Sequence, residues 1–310
     1  FVTSVVLIAG TIIVFQQVNY MRNQSLGVNI NQTLIIKGPQ TIADSLYQNI
    51  YQPFKSAVLQ QPSVKNIAAS TDVPGNEIYW TNGSKRLGTN QSAVTLYNLG
   101  IDYDFIPAYN IKMAAGRNFS QQFGTDKNAV ILNGNAAKLL GFKNAAAAVG
   151  EKIVHSGDTV TIIGITNNFH QLGLQKNIDP MILVLRPNIS HFYSLKLAGG
   201  NTQQTIASLR QTWNTYFPKD PFDYFFLDES FGQQYKADIL FGKVFGVFAF
   251  LAILIACFGS LGLSAYNVLQ RTKEIGLRKV LGASLQSILI LLSRDFLQLI
   301  FISLLLAIPV

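Results

Sequence analysis

Arg271, Lys273, Glu274, Arg278 and Lys279 place five charges within nine residues, interleaved with Ile275, Leu277, Val280 and Leu281, with Gly276 and Gly282 set among them. The chemistry open to such a segment is recognition. The aliphatic residues can fill a groove, the cations can form its rim, and the glycines permit close approach or a sharp bend. Residues suited to covalent chemistry do not assemble anywhere else. The chain has no GxxxxGKS/T phosphate loop, GxSxG elbow, HExxH or CxxC. His155, His170 and His191 stand apart, without metal-ligand spacing. Asp102 with Asp104, and Asp228 with Glu229, are paired carboxylates, but turn and helix-cap roles account for both pairs. An enzymatic reading has no residues to rest on.

The basic segment must be held by what precedes it. Val244 to Leu269 is uncharged and mostly apolar, and a bilayer core is crossed by about 20 such residues at 1.5 Å each. Lys and Arg crowded at one end of a span mark that end as cytoplasmic. Composition agrees: mean hydropathy is +0.26, with 49% hydrophobic and only 13% charged residues, roughly half the charge of a soluble domain. The apolar excess concentrates in residues 1–15, 239–269 and 285–310. The formal charge is +8, and residues 239–310 hold six of the 24 basic groups but two of the 16 acidic ones. Beside a membrane span such a cluster sets topology and can meet anionic lipid. No aromatic residues interleave it, so nucleic acid is excluded as a partner. Cys257 is the only cysteine, which rules out a disulfide within the chain.

These features divide the chain as follows. Residues 1–20 form a first transmembrane helix, cut at its start. Residues 21–238 form an extracytoplasmic domain, 239–269 a stalk and second span, and 270–284 the cytoplasmic segment. Residues 285–310 begin an interfacial helix over Ser284–Ser293 and a third span from near Phe296, cut at its end. Within the domain, β-branched and aromatic runs predict strands at 33–37, 64–70, 129–132, 160–165, 181–185 and 193–197. Apolar spacing predicts helices at 41–60, 135–140 and 202–216. Pro74-Gly75, Asn82-Gly83 and Asn133-Gly134 read as turns. Strands and helices mix without a βαβ repeat, so the fold class is a membrane protein whose transmembrane α-helices bracket an α+β extracytoplasmic domain. From Asp228 to Leu269 no breaker is apparent, which predicts one rod of about 40 residues and roughly 60 Å, half of it beyond the bilayer.

With these parts in place, the chain resembles the FtsX/MacB-like permease family of ABC transporters. The strongest element is Gln270-Arg-Thr-Lys-Glu-Ile-Gly-Leu-Arg-Lys-Val-Leu-Gly-Ala-Ser284. Pro74-Gly75, Asp102-Tyr-Asp-Phe-Ile-Pro107, Gly116-Arg-Asn-Phe119, Ala129-Val-Ile-Leu-Asn133 and Ile162-Ile-Gly-Ile-Thr-Asn-Asn-Phe-His170 look like the MacB-like periplasmic core. Asn19-Tyr-Met-Arg-Asn-Gln24 and Leu26-Gly27 look like the second half of an eight-span member. The resemblance implies a dimeric permease subunit in the bacterial inner membrane, multi-pass, with no cofactor of its own. It implies that a separate ABC ATPase binds ATP at the cytoplasmic face, and that motion is carried to the periplasmic domain without a tunnel through the lipid. Arg271, Lys273, Glu274, Ile275, Gly276, Leu277, Arg278, Lys279, Leu281, Gly282 and Ala283 would couple to the ATPase. Export of peptides, antibiotics or other amphipathic molecules, with a periplasmic or outer-membrane partner, is the expected role. Regulation of a cell-wall hydrolase, or lipoprotein release, is the alternative.

Overall fold

The computed structural model of the protein describes residues 2–42, 44–188 and 191–282, together with 284, 286, 290, 298 and 301–305. They fall into two compact units: a domain, Gln24–Gln234, and a flanking unit made of Phe1–Asn23 and Tyr235–Val310. The chain begins with α1 (Val2–Asn23). The domain then runs through β1 (Thr33–Lys37), α2 (Asp44–Leu59), β2 (Val64–Ser70), β3 (Thr81–Arg86), β4 (Val94–Ile101) and the single turn α3 (Phe105–Ala108). It continues with β5 (Met113–Gly116), β6 (Ala129–Asn133), α4 (Gly134–Leu139), β7 (Lys152–His155), β8 (Asp158–Thr166) and β9 (Met181–Leu185). It closes with β10 (Phe192–Leu197), α5 (Thr202–Tyr216), β11 (Tyr224–Phe226) and α6 (Leu227–Gln233). The α+β class follows directly.

Six strands pair in a closed ring, β4–β3–β7–β8–β6–β9 and back to β4. One core draws Leu96 from β4, Ile153 from β7, Ile162 from β8, Val130 and Leu132 from β6 and Ile182 from β9, together with Ala136, Ala137 and Leu140 of the α4 segment. The alternate residues Ala129, Ile131, Met181, Leu183 and Leu185 join a second core on the other face. Strands buried on both faces read as unbroken apolar runs, which is why β6 and β9 are evident in the sequence. By contrast β3 is Thr-Asn-Gly-Ser-Lys-Arg, and only Ser84 in it is buried. Asn82-Gly83, expected to be a turn, lies in this strand, paired with Leu96 and Thr95 of β4. Ring closure supplies hydrogen-bond partners on both sides of β3, and this overrides a polar composition that disfavours strands.

The other sheet is antiparallel, in the order β11–β1–β10–β2. One face is covered by α2 and α5, where Leu34, Ile36, Tyr47, Tyr51, Phe54, Tyr193, Trp213 and Phe217 make an aromatic-rich core. Trp213 and Phe217 lie 4.5 Å apart between ring centres, and the buried Trp213 Nε1 donates to the Asp220 carbonyl at 3.0 Å. α2 holds its helix despite the internal Pro53, because Tyr47, Tyr51, Phe54 and Val58 bury one continuous face at 3–4-residue spacing. It starts three residues later than the expected Thr41. Asp220 explains the delay, accepting from Gln40 N at 2.8 Å and from Thr41 Oγ1 at 2.6 Å. Sheet and ring share one bridge, Ser70 with Ile101. The second core joins them, with Ile35, Ala68, Leu99, Phe105, Tyr109 and Ile131 in contact across the seam.

Asp102 sits at this seam, buried, with Lys55 Nζ at 3.7 Å and the Tyr51 hydroxyl donating at 3.4 Å. Its Oδ1 accepts the Asp104 amide at 3.1 Å, the turn role expected of this pair, while the carboxylate of Asp104 pairs with Lys55 and makes no cap bond. Burial pushes the Asp102 carboxyl up to about 6, against the pull of Lys55. The folded domain therefore binds this proton more tightly than the unfolded chain. The stabilisation from protonated Asp102 is complete below about pH 4 and is lost as pH rises through about 6, on the order of 3 kcal/mol at most. Asp102→Asn keeps an oxygen for the Asp104 amide and removes the charge. Its melting temperature should match the wild type near pH 4 and exceed it by several degrees at pH 7.5. Parallel melting curves at both pH values would refute the assignment.

The long helix is interrupted. α6 ends at Gln233, and α7 (Lys236–Gln270) starts only after Gln234 and Tyr235. This corrects the expected unbroken rod. The helical path is left at Tyr235, with φ −96° and ψ 0°, just after Gln234, whose side chain ties the end of α6 to the domain: its Oε1 accepts the Gly173 amide at 2.6 Å and its Nε2 donates to the Gly75 carbonyl at 2.9 Å. α7 itself has 35 residues, about 52 Å at 1.5 Å per residue, so about 20 Å exceeds a bilayer core of about 30 Å. Its charges, Lys236, Asp238 and Lys243, lie in the first eight residues, and Val244–Gln270 carries none. α1 and α7 are both long and apolar enough to cross a membrane, and they pack antiparallel. Ser4 Oγ donates to the Ala252 carbonyl at 3.3 Å, and a Cβ at Gly242 would lie 3.3 Å from Val14. Small residues at such a seam let two helix backbones approach. The expected interfacial helix over Ser284–Ser293 and the third span from Phe296 lie largely outside the described residues.

Candidate functional site

The basic segment forms a separate short helix, α8 (Thr272–Val280). It is divided from α7 by one residue, Arg271, whose ψ of 13° leaves helical geometry. The hydrogen-bond ladder nevertheless continues across the joint: Arg271 N donates to Asn267 O at 3.0 Å and Ile275 N to Arg271 O at 2.9 Å. Thr272 Oγ1 covers the Val268 and Leu269 carbonyls at 2.8 and 2.9 Å, satisfying acceptors that a helix end otherwise leaves open. At the far end Gly282 adopts φ +91° and its amide bonds the Lys279 carbonyl at 3.2 Å. A left-handed residue is the common way to stop a helix, and glycine adopts it without a Cβ penalty.

Helical spacing of about 100° per residue sorts the side chains. Leu277, Val280 and Leu281 fall on one side, together with Gly276 and Lys273. These three aliphatic residues are 67%, 89% and 78% exposed. Ile275 is about 160° round the helix from Leu277, beside Lys279, and is half-buried. The four aliphatic residues expected to share one groove-filling face are thus three plus one. Arg278 binds Glu274 at 2.9 Å, an i,i+4 ion pair with both partners solvent-exposed. Gly276 has no atom within 4 Å of where a Cβ would stand, so nothing within the described residues requires glycine there. Ala283 lies outside the described residues. The arrangement can hold an apolar edge in a partner's groove and set cations around it. Among the described residues no group of three or more His, Cys, Asp or Glu could hold a metal.

The sequence matches two family profiles: the MacB-like periplasmic core domain over residues 2–214 and the FtsX-like permease C-terminal region over residues 246–310. Among solved structures it is similar to the periplasmic region of MacB from Actinobacillus actinomycetemcomitans, at 12% identity and a TM-score of 0.47, covering 67% of this chain and 93% of that one. It is also similar to the extracellular domain of the noncanonic ABC-type transporter YknZ from Gram-positive bacteria, at 15% identity and a TM-score of 0.44, covering 62% and 97%. No curated protein matches. The first profile covers well over half of the chain, and the second contains α8 and most of α7. The chain belongs to the FtsX/MacB-like family of ABC transporter permeases.

Proposed function

We propose that this chain receives the ATP-driven motion of a separate ABC ATPase at α8 and passes it along α7 to the domain Gln24–Gln234 outside the cytoplasm. Two copies of the chain would work with two ATPase subunits, exporting peptides, antibiotics or other amphipathic molecules. The supporting observation is the bare edge of α8. Leu277, Val280 and the capping Leu281 stand exposed along α8, beside Arg271 at its start and Lys273, Arg278 and Lys279 within it. Anchoring to headgroups would use the cations and the aliphatic edge alike, but would have no need of Glu274, Gly276 or Gly282. Permeases of this family work with ABC ATPases in general. A hydrogen-bonded helix of about 52 Å can carry a displacement from one end to the other without bending much, and the continuous ladder at Arg271 ties α8 to it.

The test is capture of the ATPase. Affinity-purified full-length protein should bring a nucleotide-binding subunit with it from solubilised membranes. The double substitution Leu277→Asp with Leu281→Asp should lose that subunit while the protein remains in the membrane at wild-type level. Retention of the subunit by the double variant would remove α8 as its seat.

A further inference from the structure

Two stretches of chain connect the domain to its flanking helices. Residues 24–32 lead from α1 to β1, and α6 with Gln234 leads to α7. One segment holds both. Residues 167–175, between β8 and β9, form neither helix nor strand. A connecting loop ordinarily runs over the surface, yet here Phe169 is 1% exposed and Gln171 4%.

The first half of the segment takes the linker from α1. The His170 amide donates to the Leu26 carbonyl at 2.8 Å. Gly27 lies against its main chain, where a Cβ would stand 2.9 Å from Asn168 O and 3.0 Å from Phe169 Cα. Val28 and Ile30 pack on the core that holds Phe169, as does Leu227 of α6. Lys196 Nζ donates to the Asn29 and Asn31 carbonyls, so the linker is pinned along its length. The second half takes the end of α6. The Gly173 amide donates to Gln234 Oε1 at 2.6 Å, and Gln234 Nε2 donates to the Gly75 carbonyl at 2.9 Å. The Gly75 amide in turn donates to the Gln171 carbonyl at 2.6 Å, which closes a circuit through Gln171, Gly173, Gln234 and Gly75. The buried Gln171 side chain braces it, with Nε2 donating to the Val73 and Asn76 carbonyls at 2.8 and 3.1 Å. His170 and Gly173, the two grips, are separated by at most about 10 Å of extended chain. Close-packed interiors transmit strain across such a distance rather than absorb it.

We propose that residues 168–175 act as a strap that couples the two connections, so that loosening or displacing one loosens or displaces the other. The consequence for transport rests on the reading above that α7 carries motion: a push arriving at Gln234 then moves the α1 linker together with the body of the domain. The coupling itself belongs to the domain and is measured without ATPase or nucleotide, so either assignment can fail alone.

The experiment is amide hydrogen–deuterium exchange of the full-length protein in detergent. Gln234→Leu removes both side-chain bonds at one connection. Gly173 loses its partner directly, so the informative amides are His170 and Asn29 at the other connection, and each should exchange about fivefold faster or more. Gly27→Ala pushes the linker off Asn168 and should speed Gly173 and Gly75 by a comparable factor, because a coupling free energy is reciprocal. Ile131 in β6 and Leu183 in β9 should keep wild-type exchange in both variants, which separates coupling from general unfolding. Where Gln234→Leu speeds those as well, Gln234→Glu supplies the reading with a milder change, since it keeps an acceptor for Gly173 and gives up only the donor to Gly75. Gln233→Ala, an exposed neighbour, should alter none of these amides. Wild-type rates at His170 and Asn29 in the Gln234 variant, or a Gly27→Ala effect that stops at His170, would overturn the strap.

Discussion

Gly276→Trp is expected to reach the membrane and fold like the wild type, yet to cut stimulated ATP hydrolysis by the reconstituted ATPase complex by about tenfold or more, a loss of about 1.4 kcal/mol of coupling or greater. Two physical facts separate fold from function here. A Cβ at position 276 meets nothing within 4 Å, so an indole disturbs no packing within the described residues. Replacing glycine inside a helix also raises helix propensity, by about 0.5 kcal/mol for tryptophan, so α8 should become slightly firmer. The same indole stands beside Leu277 and Val280 on the exposed edge and holds off any partner backbone that approaches there. Gly276→Ala, with one methyl, should retain most of the stimulation. Arg278→Glu with Lys279→Glu should lose it by another route: inside the helix an exposed pair worth about 0.5 kcal/mol gives way to a like-charge pair with Glu274 of similar cost, while the rim changes sign. Full stimulation by Gly276→Trp would mean that the exposed edge of α8 meets no ATPase.

Where the sequence was informative, burial is the reason. β1, β2, β9 and α5 appear at the expected residues because each packs apolar side chains in a pattern that only one secondary structure can bury. β3 was invisible: Asn82-Gly83 carries a turn signature, and only the neighbours β4 and β7, distant in sequence, make it a strand. β7 and β11 are four and three residues long, too short for a period to register. The break before α7 left no trace either, since glutamine is an ordinary helix residue. The break falls at Tyr235, beside the bonds that tie the Gln234 side chain to Gly75 and Gly173, residues distant in sequence. In α8 the residue types were legible and the grouping was not. Ile275 looks like a companion of Leu277 until the helical angle places it on the other side. The seam between sheet and ring depends on Ile35, Leu99 and Ile131 meeting from three separate strands, and no local pattern encodes that meeting.

The largest effect on stability is expected at Gly116, inside the Gly-Arg-Asn-Phe motif. Its φ is +73°, a region that costs a side-chain-bearing residue about 1–3 kcal/mol. A Cβ there would stand 2.3 Å from the Ile163 carbonyl oxygen and 2.8 Å from Gly164 Cα. Both obstacles are main chain, so no rotamer change can relieve them. The opposing glycine is equally constrained, with Arg117 O only 2.4 Å from a Cβ at Gly164. The two glycines let β5 and β8 touch backbone to backbone, closing the hydrogen bond from Arg117 N to Ile163 O at 3.0 Å. Separating those strands adds an overpacking cost of about 1–3 kcal/mol. The combined loss, on the order of 2–6 kcal/mol, is a large share of the roughly 5–15 kcal/mol by which a domain is folded. Gly116→Ala should therefore lower the melting temperature of the full-length protein by about 10 °C or more, or leave it unfolded. Gly124→Ala is the control, since φ is ordinary there and a Cβ meets nothing within 4 Å. If Gly116→Ala and Gly124→Ala melt together, the close approach of β5 to β8 is not what the fold requires at this motif.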